Sequence, residues 1–457
     1  MKPKVCLVSL GCAKNLVDSE NMLGLLKAQG FDLAPELNKA DIGIVNTCGF
    51  IQPAIEESIG MILDIAGMKS AGKLKKLYVT GCLVQRFGYK LKKEMPEVDG
   101  WLGTGEIHRI ARLLKGNTDG GTPFLINRPI YLADHKTPRI QSSPFYTAYV
   151  KLAEGCSHRC SYCTIPGIRG PLRSRATGSV VTEVASMVER GVKEINLIAQ
   201  DTTSYGKDLK NGACLENLLE KLVSIKGLQW IRILYSHPHG ISDHLLSLME
   251  AHEEICPYLD IPLQHVHSGI LEKMGRYSKQ ENPWQLVERL RNRKRPIALR
   301  STLMVGFPGE TDDAFRELYD FVSQAKFEHL GVFIYSPEKG TRAARLGQNV
   351  DRKAAEERRD ALMRLQAGIS LEKHKGMIGK VVAVLMEGRS EETDLLLKGR
   401  TAAMAPDVDA QILINKGKGS AGEILPVKIL EAYEYDLIGE ICSLTGKGVK
   451  SKVKRCA

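Results

Sequence analysis

Cys156, Cys160 and Cys163 form a C-x3-C-x2-C triplet within Glu154-Gly155-Cys156-Ser157-His158-Arg159-Cys160-Ser161-Tyr162-Cys163. Three thiolates on one short loop can each take an iron of a 4Fe-4S cluster and leave the fourth iron open to a ligand. The competing chemistry is structural zinc, which wants four closing ligands and usually a C-x2-C pair, so His158 would have to complete the set. Three more of the 11 cysteines follow a pattern of their own: Leu10-Gly11-Cys12, Thr47-Cys48-Gly49 and Thr80-Gly81-Cys82. Each stands beside a glycine and ends an apolar run. If those runs are parallel strands, all three thiols reach the carboxyl edge of one sheet, where α/β folds gather ligands, and the glycines let backbone approach closely. Three unrelated buried cysteines are the bland alternative, and the repeated placement speaks against it. Cys6, Cys214, Cys256, Cys442 and Cys456 have no partner at ligand spacing and read as ordinary thiols.

The elements that must carry these loops can be read from apolar periodicity. Short apolar runs at 5–10, 42–46 and 77–80 alternate with amphipathic stretches at 19–28 and 55–66, so residues 1–135 read as an α/β unit with a parallel sheet. A Gly/Pro turn cluster at 118–123 and a Pro/Ser stretch at 137–144 look like a link to a second domain. In 136–375, strand candidates at 148–152, 194–199, 230–235, 259–262, 299–305 and 330–334 are separated by helical patterns. Six such units make a partial (β/α)6 barrel rather than the closed eight-fold one, with the 156–163 triplet just past its first strand. Residues 351–375 read as a long charged helix. Residues 376–443 change to short β-rich runs broken by glycine and charged turns, as in a small OB-like barrel, and a basic tail follows at 444–457.

Composition narrows the class. With 457 residues, 43% hydrophobic and 26% charged, and no apolar run near the ~20 residues of a membrane span, the chain reads as a multidomain cytoplasmic protein with no membrane partner. In a reducing cytosol its cysteines are better explained as ligands than as disulfides. The net charge of +11 suggests a polyanionic partner such as RNA or a nucleoprotein particle, or merely a basic protein.

The triplet's position after the first strand of a partial barrel resembles the radical S-adenosylmethionine (SAM) superfamily, and the six cysteines together resemble its methylthiotransferase family. The resemblance runs from Lys4 to about Gly439. It implies two 4Fe-4S clusters, one at Cys156, Cys160 and Cys163 that binds SAM, and an auxiliary one at Cys12, Cys48 and Cys82. It further implies a C-terminal TRAM domain and a low-potential electron donor such as flavodoxin or ferredoxin. The implied chemistry is reductive cleavage of SAM to a 5′-deoxyadenosyl radical that takes hydrogen from the target carbon, which accepts a methylthio group. Tyr162, between two ligands, is then expected near the adenine. Ser157 stands where the family often has Asn, at a position that is no ligand.

Four phrases are similar to the branch of this family that acts on a protein: 9–20, Gln200-Asp201-Thr202-Thr203-Ser204-Tyr205-Gly206, 258–265 and 305–311. That branch methylthiolates the β-carbon of an aspartate in small-subunit ribosomal protein S-twelve, either free or on the assembled subunit. The tRNA-modifying branch usually has an Asn-rich phrase in place of Asp201-Thr202-Thr203, and Pro-Val-Gln-Ser in place of Pro262-Leu263-Gln264-His265. Charge bears on the same choice. Residues 376–443 hold seven Lys and Arg against eleven Asp and Glu, a balance of −4, which suits a basic protein better than phosphates. At the barrel mouth, Gln200 and Asp201 end the second strand, Gln264 and His265 the fourth, and Arg300 and Thr302 lie on the fifth. All are candidates for contacts to SAM or substrate, with a structural role equally open to His265. Arg173 and Arg175 could hold the SAM carboxylate or line a basic surface. A non-enzymatic RNA-binding protein with structural metal is the reading of a different class; it leaves two open thiolate triplets unexplained.

Overall fold

The computed structural model describes residues 2–116, 122–347, 349–393 and 395–442. Residues 118–121 of the turn cluster, Asp394 and the basic tail with Cys456 lie outside the described residues. Among the described residues no helix is long and apolar enough to cross a membrane.

The N-terminal sheet holds β1 (Lys4–Ser9), β2 (Asp32–Leu33), β3 (Ile42–Thr47), β4 (Lys76–Gly81), β5 (Gly100–Leu102) and β6 (Phe124–Leu125), in the order β2-β1-β3-β4-β5-β6. All pairs are parallel. The longer helices α1 (Ala13–Ala28), α2 (Gln52–Ser70) and α3 (Cys82–Glu94) return the chain between strands, and α4 (Ile110–Leu114) is a short one. The strands expected from apolar runs are the three central ones. The flanking strands are two or three residues long, too short to show a periodic signal.

The link at 137–144 is docked rather than loose. Glu20 on α1, 1% exposed, accepts Arg139 Nε at 2.8 Å, Ser142 N at 2.6 Å and Ser142 Oγ at 2.8 Å. Arg139 also reaches Glu183 at 2.8 Å.

The central domain opens with β7 (Thr147–Lys151). A short antiparallel pair, β8 (Ala153–Glu154) and β9 (Arg173–Ser174), then brackets the cysteine loop and α5 (Ile165–Arg169). With α6 (Thr177–Glu189), α7 (Leu215–Leu222), α8 (Asp243–Ala251), α9 (Ser268–Met274), α10 (Pro283–Arg291), α11 (Asp312–Ala325) and α12 (Arg352–Lys375) come β10 (Glu194–Ile198), β11 (Trp230–Ile233), β12 (Ile255–Gln264), β13 (Ala298–Val305) and β14 (His329–Ile334). The strands β7-β10-β11-β12-β13-β14 pair in parallel as an open six-stranded sheet. This is the expected partial barrel. Val150, Ile195, Ile231, Leu259 and Leu299 pack under the helices. The alternate residues Tyr149, Trp230, Tyr258 and Ala298 pack instead with Leu385 and Ala405 of the last domain, as period-two strands require.

That last domain is a closed barrel of β15 (Val381–Arg389), β16 (Leu397–Arg400), β17 (Gln411–Lys416), β18 (Ile424–Ala432) and β19 (Asp436–Ile441). Of its strands, β19 leaves the weakest signal in the sequence. Gly439 interrupts its apolar pattern, and a Cβ there would meet Val427 Cγ1 at 2.6 Å, so close strand approach takes the place of a side chain.

The small barrel plugs one end of the partial barrel, which corrects one expectation. Arg300 does not reach the mouth. Its guanidinium lies 3.3 Å from Asp260 and 3.2 Å from Asp409, whose side chain is 0% exposed and also accepts Tyr258 OH at 2.7 Å. Beside it, buried Glu194 accepts Arg400 Nη1 at 2.8 Å and Arg232 Nη2 at 3.1 Å.

Candidate active site

Cys12 caps the start of α1, Cys48 follows β3 directly, and Cys82 opens α3 after β4. As β1, β3 and β4 are adjacent, three consecutive carboxyl ends deliver three thiols. Two glycines make the approach possible. Gly11 has φ +87°, and a Cβ there would stand 2.9 Å from Cys48 Cβ; Gly81 has φ +104°, with Asn46 Oδ1 and Thr47 O at 2.5 Å. Any side chain would have to push these groups apart. Asn15, in the first turn of α1, holds the loops together. Its Nδ2 donates to Leu10 O at 3.0 Å and Thr47 O at 2.9 Å, and its Oδ1 lies 3.7 Å from Cys82 Sγ. Ser58 on α2 accepts Cys48 N at 3.1 Å.

The second triplet is held by backbone. Cys156 N donates to Gly170 O at 3.0 Å and Ser161 N to Met274 O at 2.8 Å. Burial pushes the Cys156 thiol up to about 11, Cys163 to about 12 and Cys82 to about 11. Burial also acts on Cys12, but Lys14 and Arg169 outweigh it and leave that thiol below its usual value. Cationic groups face both triplets: Arg169 Nη2 lies 3.4 Å from Cys82 Sγ, and Arg276 Nη1 3.6 Å from Cys160 Sγ.

All six thiols line a single cavity of about 350 Å³. Tyr162, Gln200, Asp201 and Gln264 line it too. Asp201, however, is occupied. It accepts Thr203 N at 3.0 Å, Thr203 Oγ1 at 2.6 Å and His237 N at 3.2 Å, and pairs with Ser204 Oγ and with His158 Nε2 at 2.6 Å. These bonds outweigh burial and hold its carboxyl well below the usual range. Asp201 therefore fixes the His158 ring, which stacks on His237 at 3.9 Å and 11°. His265 does not line the cavity. It is fully buried, its Nδ1 accepts His267 N at 3.0 Å, and burial lowers it to about 3. Arg175 is bound to Lys151 O and Glu183, and Arg173 to Arg169 O and Pro171 O, so neither faces the cavity.

Sequence reasoning missed Lys14, Asn15, Arg169, Tyr235, His237 and Arg276, all of which line the same space. Two lining residues other than glycine, Tyr235 (φ 59°) and Gln264 (φ 72°), have left-handed backbone, a strained state that clusters at functional sites. Both sit at or just past strand ends, where such a turn leaves no periodic signal.

The donor set fits iron-sulfur clusters better than one metal ion. Its ligands would be thiols in two triplets on separate loops, and cluster ligands each bind a different iron. The one lining carboxylate, Asp201, is spent on protein partners.

Comparison with known proteins accords with this geometry. Residues 4–103 match the model of Uncharacterized protein family UPF0004, residues 150–322 the Radical SAM superfamily and residues 378–442 the TRAM domain. A thiolate triplet above the first strand of such a barrel is the hallmark of a radical SAM enzyme, and that is the class of this protein. The family is narrower. The chain is 49% identical over 443 residues to a protein from Geotalea uraniireducens (strain Rf4) named "Ribosomal protein uS12 methylthiotransferase RimO", covering 96% of this chain and 99% of that one. A protein of the same name from Geobacter sulfurreducens is 47% identical, covering 97% and 99%. The chain belongs to the RimO family of radical SAM methylthiotransferases. Among solved structures, the radical SAM methyltransferase TsrM from Kitasatospora setae shares the fold, with TM-score 0.54 at 17% identity over 73% of this chain and 75% of that one. Membership of the superfamily implies one 4Fe-4S cluster and SAM.

Proposed function

We propose that this enzyme attaches a methylthio group to the β-carbon of an aspartate in ribosomal protein uS12. One observation carries the reading: two thiolate triplets from different domains line one cavity, so that a sulfur donor and a radical source can meet at one carbon. In this reading Cys156, Cys160 and Cys163 hold the SAM cluster, and Cys12, Cys48 and Cys82 hold a second 4Fe-4S cluster. When bound, the clusters and SAM supply reductive SAM cleavage, C–H abstraction and the sulfur to be methylated.

The chain's own residues arrange the encounter. Tyr162, Gln200 and Gln264 form the wall beside the 156–163 loop and are assigned to SAM, while Asp201 acts through His158. Arg169 and Arg276 set positive charge beside the two thiolate groups. Phe50, Ile165 and Pro262 make the lining partly apolar, which limits water around a reactive intermediate. Residues 1–135 would carry the second cluster, 136–375 SAM and 376–443 the contact to the partner, with flavodoxin or ferredoxin as electron donor.

The test is anaerobic reaction of the iron-loaded enzyme with uS12 and, separately, with tRNA, read by mass spectrometry. A methylthio mass gain on one uS12 aspartate is expected. Modified tRNA with untouched uS12 would overturn the reading.

A further inference from the structure

Lys14 is 6% exposed and lines the cavity, yet among the described residues no carboxylate pairs with it. Its Nζ lies 3.1 Å from the ring centroid of Tyr235. The other two lining cations are bound to protein. Arg169 contacts Asp18 at 2.7 Å and Glu154 at 3.3 Å, and Arg276 donates to Pro262 O at 2.6 Å.

An ammonium taken out of water is costly unless an anion meets it. An aromatic face offsets only part of that cost. Moreover, the ring is itself held in place: Tyr235 keeps a strained φ of 59° while its N–H donates to Asp260 at 3.1 Å and its carbonyl accepts Thr202 N at 2.9 Å. Two domains thus present to the cavity a cation that no protein carboxylate meets among the described residues.

We propose that Lys14 binds the side-chain carboxylate of the target aspartate and so selects an acidic residue for methylthiolation. The inference rests on the uS12 reading above. A carboxylate could also come from SAM, but Lys14 stands beside Cys12, in the domain opposite the 156–163 loop to which SAM is assigned. With its carboxylate on Lys14, the aspartate holds its β-carbon inside the cavity between the two thiolate triplets.

The experiment compares the iron-loaded enzyme with its Lys14→Met and Lys14→Arg variants in anaerobic binding to uS12 and to uS12 whose modified aspartate is replaced by Asn. A charged hydrogen bond at a buried site leads us to expect the unaltered enzyme to prefer the Asp form by about tenfold or more. Lys14→Met should bind both forms alike, and Lys14→Arg should keep a preference. SAM affinity and iron content are measured on the same samples. A Lys14→Met enzyme that still prefers the Asp form would overturn the proposal, as would a selective fall in SAM affinity, which would give the carboxylate to SAM, or a loss of iron, which would give the charge to a cluster. If the unaltered enzyme binds neither form of uS12, the substrate reading itself fails, and this inference with it.

Discussion

Arg169 donates to Cys82 Sγ at 3.4 Å across the boundary between the first two domains. Arg169 lies six residues beyond Cys163 in the chain, so the segment that follows one thiolate group is tied by its guanidinium to a thiol of the other. Its other bonds run to Asn15 Oδ1 at 2.5 Å, Asp18 and Glu154, and Lys151 completes the buried network by pairing with the same two carboxylates.

Replacing Arg169 by Met should strip two buried carboxylates of one partner, at a cost of about 3 kcal/mol or more in denaturant unfolding. Arg169→Lys should restore little of that loss, because an ammonium cannot reproduce the fork that bridges thiol, amide and carboxylate. Full stability in Arg169→Met would show the network to be dispensable.

Replacing Cys156, Cys160 or Cys163 by Ala should abolish reductant-dependent 5′-deoxyadenosine formation. Ala at Cys12, Cys48 or Cys82 should leave measurable SAM cleavage but stop methylthio transfer. In either case anaerobic analysis should show a loss of about four irons per chain. A Cys48→Ala enzyme that transfers the group at the native rate would make the N-terminal thiols structural.

The acidic residues of the small barrel are not equivalent. Glu391 and Glu392 are exposed, so changing both to Lys should leave folding intact and weaken uS12 binding, less so as salt rises, while tRNA binding increases. Asp409→Asn should instead loosen the barrel from Arg300 and Tyr258 and lower thermal stability. Unchanged uS12 affinity in the double variant would remove charge from the recognition argument.

Acidification should open the same seam. Burial alone would raise Glu194, but Arg400 and Arg232 outweigh it and hold the carboxylate down at about 2. A depressed folded value means that its contribution is complete above the ordinary carboxylate value of 4.5 and is lost as pH falls toward 2. Trp230 lies under Arg400, with the guanidinium 5.9 Å from its ring centroid, so its fluorescence should report the change. Glu194→Gln should flatten that acid limb; an identical limb would rule out this pair as its source.

The cysteine sites were legible because glycine neighbours and apolar runs are local signals, and parallel strands bring them together by rule. Lys14 over Tyr235 was not, since it joins residues of different domains through one left-handed turn. Arg300 was read on the fifth strand, at the barrel mouth. Its depth was illegible, because Asp409 of another domain claims it. His265 follows Gln264, whose φ of 72° breaks the strand's alternation and sends the next side chain inward.

The Glu194 and Arg400 contact spans 206 positions of the chain, which orders events during synthesis. At roughly 5–20 residues per second, the carboxylate waits on the order of 10–40 s for its partner to be made. Once β14, which ends at Ile334, has been made, the partial barrel has its upper loops but an unsealed base until Arg400 follows, with Arg232 already available to Glu194. A nascent chain therefore exposes its base until the last domain emerges, and a chain cut short between residues 376 and 400 keeps every thiol of both triplets while lacking the piece that closes its floor.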